Sequence, residues 1–189
     1  DGVVRIDGAD LAHWNKAHLG AHVGYLPQDV ELFQGTIAEN IARFEEDAGD
    51  AVLEAARQAG SYEMILRLPH GFDTRLGEGG IQLSAGQAQR IGLARALFRG
   101  PRIVVLDEPN ANLDADGEQA LIRTLVDLKQ SGATVVMITH KPSLVATLDA
   151  LLVLREGRVE LIGPRDEVLA RLYGSLTPNA PASPGKGVT

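Results

Sequence analysis

An apolar run, Ile103-Val104-Val105-Leu106, ends on two adjacent carboxylates, Asp107 and Glu108, followed by Pro109. A run of this kind reads as a parallel strand covered on both faces, and open α/β sheets hold their ligands at the carboxyl ends of such strands. In phosphoryl transfer an aspartate at that place can hold Mg²⁺, and a second carboxylate can orient the attacking water. The same pair also suits the plain start of a loop. A second constellation is Leu83-Ser84-Ala85-Gly86-Gln87. Small residues that open a helix let backbone approach a ligand, and the N–H groups and dipole there favour an anion. A serine-capped helix after a flexible loop is the other reading of these residues. Gln28, after Tyr25-Leu26-Pro27, and His140, after the run Thr134 to Thr139, stand at the ends of further apolar segments. Taken singly, each would be a solvated loop residue.

The elements that must position these side chains are legible from periodicity and caps. Val3 to Ile6 reads as a short strand turned at Asp7-Gly8, and His22 to Pro27 as a second strand. Thr36 with Glu39 three residues on is a capping box, so helices are expected from there through Asp50–Ala59 and Tyr62–Leu66. Residues 69–83 are Gly-rich and expected to be irregular. Ser84 caps a helix to about Phe98, with Ile91, Leu93, Ala94 and Leu97 on its buried side. From Arg102 strand and helix alternate: Ile103–Leu106, a helix over 115–129 ending before Gly132, then the strand 134–139. A short helix follows Pro142, a hairpin joins 151–154 to 158–162 across Glu156-Gly157, and a last helix runs over 164–172. The remainder, 173–189, is rich in Pro, Gly and Ser and reads as a disordered tail.

Composition bounds the function. The 189 residues suit one domain, and 44% hydrophobic content is enough for a core. Aromatics are only 4%, so aliphatic packing of helices on strands carries the fold. A net charge of −7 argues against a nucleic-acid binder, while leaving ATP open, since backbone N–H groups and a few cations can hold a phosphate. With no cysteine there is no disulfide and no thiolate metal site or nucleophile. No run approaches the ~20 apolar residues of a membrane span, so a membrane role requires a partner or a further segment. The chain opens at Asp1 directly into strand-like sequence without Met, and is expected to be a piece of a longer protein.

Leu83 to Gln87, ahead of the Asp107-Glu108 strand, resembles the LSGGQ signature of ABC ATPases. The rest falls in that family's order. Gln28 matches the Q-loop glutamine, Ala111-Asn112-Leu113-Asp114 the D-loop, and His140 the switch histidine. Thr74-Arg75-Leu76-Gly77-Glu78-Gly79-Gly80 looks like the X-loop of exporters, which would put Glu78 beside the transmembrane coupling helices. The stretch Gly24 to Phe33 is similar to type I secretion permease/ATPases, and Asn110–Asp114 with Gly163–Leu169 points to their protease-exporter branch, although lipid and peptide exporters share most of these motifs.

The resemblance, covering residues 1–172, implies a P-loop NTPase-like α/β fold. A parallel sheet would be flanked by helices, with an inserted helical signature subdomain over about 36–98. It implies ATP and Mg²⁺ as ligands and a homodimer closed head-to-tail around two ATP molecules. Leu83, Ser84, Ala85, Gly86, Gln87 and Asp114 would act in trans on the partner's nucleotide, with Ser84, Gly86 and Gln87 against the γ-phosphate. Asp107 would hold Mg²⁺ through water, Gln28 would sense Mg²⁺ and the transmembrane domain, Glu108 would polarise the attacking water, and His140 would steady the γ-phosphate. The implied setting is the cytoplasmic face of the inner membrane, with a transmembrane domain, a periplasmic adaptor and an outer-membrane channel as partners and no nucleic acid.

Departures from the pattern are specific. Ala85 replaces the first glycine of LSGGQ, and Ala88 stands where the family often has arginine. No G-x-x-x-x-G-K-[ST] phosphate loop, with its strand and helix, occurs in the sequence; Gly185-Lys186-Gly187 lacks both the strand and the glycine spacing. The 189 residues alone are therefore expected to bind ATP weakly and not to turn it over. Two other classes remain in view. A soluble ABC-type ATPase of DNA repair or chromosome structure would need a long coiled-coil insertion between Gln28 and Ser84, and a non-catalytic interaction module would account for the absent phosphate loop.

Overall fold

A computed structural model describes residues 2–174, which divide into two compact units on either side of the boundary between His140 and Lys141. Of the tail expected over 173–189, Tyr173 and Gly174 instead continue the last helix, and residues from 175 onward lie outside the described residues.

The first unit begins with a two-residue hairpin, β1 (Arg5–Ile6) against β2 (Ala9–Asp10). Asp7 and Gly8 both take positive φ, +49° and +81°, the combination that a tight hairpin turn of primed type requires. Val3 and Val4 stay outside this strand, which is shorter than expected. Then follow α1 (Lys16–His22), absent from the sequence reading, and β3 (Val23–Leu26). Next come β4 (Gly35–Thr36), α2 (Ile37–Ile41), α3 (Gly49–Gln58), α4 (Tyr62–Leu66) and β5 (Arg75–Leu76). The capping box on α2 is formed as expected: Thr36 Oγ1 accepts from the Glu39 N–H at 3.1 Å, and Glu39 accepts from the Thr36 N–H at 2.6 Å. The unit closes with α5 (Ala85–Leu97), β6 (Ile103–Asp107), α6 (Ala115–Gln130) and β7 (Thr134–Ile138).

A three-stranded parallel sheet in the order β3-β6-β7 is the frame of the site. Leu26 lies opposite Leu106, and Leu106 opposite Met137, so all three strands end at one edge. β6 is the middle strand, with Val104 and Leu106 fully buried. Helix α5 packs against β3 at a close approach: a Cβ on Gly24 would collide with the Ala96 carbonyl. Ile91, Leu93, Ala94 and Leu97 of α5 are all buried, as the periodicity predicts. Leu106→Ala is expected to cost about 3–4 kcal/mol, since a central side chain with covered neighbours leaves a cavity that cannot fully collapse. Urea unfolding at unchanged m-value measures it.

Among residues 69–83, expected to be irregular, β5 pairs antiparallel with β4, Gly35 against Leu76 and Thr36 against Arg75. Two-residue strands carry too little alternation to be read from sequence. The pairing is supported by the Ile37 N–H, which donates to Thr74 O at 3.1 Å. Arg43 joins the helices from another side, donating to the carbonyls of Arg95 and Ala96 near the end of α5 and to Gly20 of α1.

The second unit contains α7 (Pro142–Val145), the hairpin of β8 (Ala150–Arg155) with β9 (Arg158–Pro164), and α8 (Arg165–Gly174). Glu156 and Gly157 form its turn, both at positive φ. Pro164 closes β9 instead of opening α8, a one-residue difference from the sequence reading. Among the described residues no helix is long and apolar enough to cross a membrane.

Candidate functional site

The parallel register decides which side chains can meet. Gln28 follows β3 by two residues, Asp107 is the last residue of β6, and His140 follows β7 by two. All therefore stand, with Glu108, at the carboxyl edge of the sheet, where each strand delivers its loop. Gln28 and His140 are exposed, while Asp107 and Glu108 are half-buried.

Glu108 is bonded to His140: Oε1 lies 2.9 Å from the imidazole Nδ1. The backbone of Glu108 has φ +45°, the left-handed region that costs a non-glycine residue of order 1–3 kcal/mol and persists when surroundings impose it. Here its N–H donates to Ile138 O at 3.0 Å and its carbonyl accepts from the Ala111 N–H at 3.1 Å. The turn this creates is what lifts the second carboxylate away from the strand direction of Asp107 and toward His140. A strained residue at this point has no signal in the sequence.

Ser84 and Gln87 form a capping box at the start of α5. Ser84 Oγ accepts from the Gln87 N–H at 3.2 Å, and Gln87 Oε1 accepts from the Ser84 N–H at 2.9 Å. The expected cap is present, and Gln87 adds to it. Ala85 is exposed, so its methyl group does not distort the turn, whereas Gly86 lies against the neighbouring loop: a Cβ there would sit 2.6 Å from the Asn112 carbonyl oxygen. Leu83 is half-buried ahead of the cap.

The loop from Glu108 to Asp114 is tied to α5 by side chains. Asp114 caps α6, accepting from the Gly117 N–H at 2.8 Å, and also accepts from the Arg90 guanidinium at 2.5 Å. Its carboxyl is held below the ordinary aspartate range, first by the Gly117 N–H and then by Arg90, against a partial opposing effect of burial. A depressed folded-state pKa means that this stabilisation is fully present above about pH 4 and is lost as pH falls through the lowered value. Asp114→Ala is accordingly expected to flatten the acid limb of the stability curve and to lower stability at neutral pH through loss of the α6 cap. Thermal melts of both proteins from neutral pH down to pH 3 measure the difference.

Gln89 and Arg90 were not singled out from the sequence. Gln89 is 1% exposed. A polar residue on the inward side of an amphipathic helix was the available signal. Glu78, the expected coupling residue, is exposed on the turn after β5, closed by the Gly80 N–H donating to Gly77 O at 3.0 Å. That turn is distinct from the Glu108–His140 pair, and β4–β5 pairing joins it to the segment that follows Gln28.

Oxygen donors at the sheet edge suit Mg²⁺, which takes few protein ligands and retains water and phosphate oxygens. Among the described residues no group of three His, Cys, Asp or Glu is close enough to hold a metal by itself. Asp107, with Gln28 nearby in register, fits an ion completed by solvent and substrate. A hydroxyl to complete such a site and a glycine-rich phosphate cradle are absent from the sequence at the required spacing.

Comparisons with known proteins bear on the family and the fold. Over 172 residues the chain is 54% identical to the type I secretion system ATP-binding protein PrsD of Rhizobium meliloti, covering 90% of this chain and 30% of that protein. It is 37% identical over 171 residues to human ATP-binding cassette sub-family B member 6, covering 90% of this chain and 20% of the relative. Among solved structures it superposes on a bacterial Atm1-family ABC exporter with ATP bound, at a TM-score of 0.82 and 38% identity, over 93% of this chain and 31% of that one. The chain thus spans less than a third of the length of these relatives. The family model for ABC transporters matches residues 1–111, more than half of the sequence, and the chain belongs to the ABC transporter family.

Proposed function

We propose that this chain is the nucleotide-binding part of an ATP-driven exporter of the type I secretion kind, coupling ATP hydrolysis to the passage of a protein or peptide across the inner membrane. The observation that carries the reading is the bonded Glu108–His140 pair at the same sheet edge as Asp107 and Gln28. Glu108 polarises the attacking water, with its carboxylate held by His140. The second ring nitrogen of His140 is available to a γ-phosphate oxygen. Asp107 and Gln28 would hold Mg²⁺, which would supply charge neutralisation at the phosphates. Ser84, Gly86 and Gln87 present N–H groups and the positive end of α5 to the nucleotide of a second copy, so hydrolysis requires a head-to-tail homodimer. Asp114 sits in the same interface, with Leu83 and Ala85 flanking the signature serine.

Residues 36–98 act as the helical subdomain, and Glu78 with the β4–β5 pair faces the transmembrane domain. The setting is the cytoplasmic face of the inner membrane, and a periplasmic adaptor and outer-membrane channel complete the route. The phosphate loop is supplied from outside the 189 residues, which by themselves bind ATP weakly and do not turn it over. Hydrolysis by the isolated chain that disappears in Glu108→Gln would refute that last point.

The DNA-repair or chromosome reading is disfavoured by the helices between Gln28 and Ser84. They are five, ten and five residues long, too short for a coiled-coil arm. The deciding experiment exchanges the 172 aligned residues of the rhizobial secretion protein for those of this chain. ATP-dependent secretion of that system's cargo supports the reading. Hydrolysis without secretion removes the secretion assignment, and neither activity leaves an interaction module.

A further inference from the structure

One buried side chain touches both the backbone that carries the Glu108 carboxylate and the loop that follows it. Gln89, on the inward side of α5, donates from Nε2 to the Glu108 carbonyl at 3.4 Å and accepts at Oε1 from Asn112 Nδ2 at 3.0 Å. Its burial is nearly complete, at 1% exposure. A leucine would fill a similar volume without the desolvation that an amide suffers there, so packing alone does not account for a glutamine. Both ends of the amide are satisfied, and each by a different part of the site.

Glu108 is where such a tether has an effect. Its φ of +45° is held from β7 through its N–H and from the loop through its carbonyl; Gln89 adds a hold from α5. Neighbouring contacts lock the same two pieces together. The Asn112 carbonyl lies against Gly86, and Arg90 is paired with Asp114 at 2.5 Å. The first turns of α5 and the loop from Glu108 to Asp114 consequently form one packed body.

We infer that Gln89 is a positioning residue for hydrolysis, which makes the orientation of Glu108 in a chain's own site depend on how the start of its α5 is seated on a partner's nucleotide. This purpose rests on the proposed ATPase reading, while the tether can be measured without nucleotide. Gln89 touches no reacting atom; it acts through the Glu108 backbone and Asn112.

The test uses the full 189-residue chain, labelled with ¹⁵N. The His140 ring Nδ1 shift reports the bond to the Glu108 carboxylate, and amide exchange at Glu108 and Ala111 reports the turn. Gln89→Leu removes both ties, and Gln89→Glu keeps the acceptor for Asn112 but loses the donor to Glu108. In both variants exchange at the two amides is expected to be about tenfold faster. The His140 Nδ1 resonance should move toward its position in Glu108→Ala, which lacks the bond, with α3 amides as protected as before. Thr124→Val, which removes a buried α6 hydroxyl that donates to the carbonyls of Gln58 in α3 and Ala120 in α6, is the control for destabilisation alone. Unmoved His140 and amide readouts in a folded Gln89 variant, or equal changes in Thr124→Val, overturn the inference. Should neither Gln89 variant fold, Asn112→Leu at an exposed position decides, and wild-type exchange at Glu108 in that variant sinks it. A secretion chimera lacking ATPase activity while these tether signals persist would count against the ATPase reading, and not against the tether.

Discussion

Glu108→Gln in the chimeric secretion ATPase is expected to lower kcat by about 10²–10⁴-fold, the range that a positioned general base contributes. The substitution preserves the shape of the side chain and an oxygen that can still accept from His140 Nδ1 at the observed 2.9 Å. What it removes is the negative charge and the basicity that the proposed mechanism uses to polarise water. Affinity for ATP should change by no more than about twofold, because ground-state binding relies on backbone N–H groups and the bound cation rather than on this carboxylate. Loss of kcat with unchanged binding is the mark of a group used in the transition state. His140→Ala provides the comparison. It deprives Glu108 of its bonded partner and, in the proposed mechanism, the γ-phosphate of its contact, so KM and kcat should both suffer. Single-turnover hydrolysis together with equilibrium nucleotide binding separates these cases. Were Glu108→Gln to keep near-wild-type turnover, Glu108 would not be the base, and the carboxylate serving the water would have to be sought at Asp107.

Much of this site was legible because the chemistry sits at the ends of strongly patterned elements. Ile103–Leu106 and the run from Thr134 are unmistakable strands, so the positions of Asp107, Glu108 and His140 at strand ends followed directly. Ser84 was readable as a helix cap because its side-chain chemistry suits no other place as well. The Thr36–Glu39 box was readable for the same reason. What escaped reading depends on contacts between segments far apart in the chain. The left-handed Glu108, the Gln89 bridge to residues 108 and 112, and the Arg90–Asp114 pair each have partners supplied by tertiary packing. Periodicity ranks Gln89 only as a polar residue on the wrong side of a helix. The β4–β5 pair was missed because two residues cannot display an alternation. Helix α1 escaped because Lys16–His22 has no capping signal and a mixed pattern.

Gly86→Val should separate the two halves of the signature more sharply than any change at Ala85. Position 85 already carries a methyl group on an exposed turn, and Ala85→Gly is expected to leave the fold unchanged apart from a few tenths of a kcal/mol in helix propensity at its first turn. Position 86 differs because its missing Cβ faces backbone: an added carbon would sit 2.6 Å from the Asn112 carbonyl, closer than nonbonded atoms tolerate. A flexible side chain could swing aside, but a main-chain carbonyl in a loop anchored at Glu108 and Asp114 cannot do so without moving both. Overpacking of this kind typically costs about 1–3 kcal/mol. The larger effect should be on activity, since a shift near 1 Å in a catalytic constellation can lower the rate about 10²-fold. Relief should come from the partner residue's side of the contact only if the loop is freed. Asp114→Ala should therefore be less destabilising in the Gly86→Val background than in the parent, without restoring turnover. Amide exchange at Glu108 and Ala111, read beside chimera turnover, tests this chain of effects. A Gly86→Val chimera that hydrolyses ATP at the parental rate would mean that the loop yields freely, and that the close packing of α5 on it has no part in catalysis.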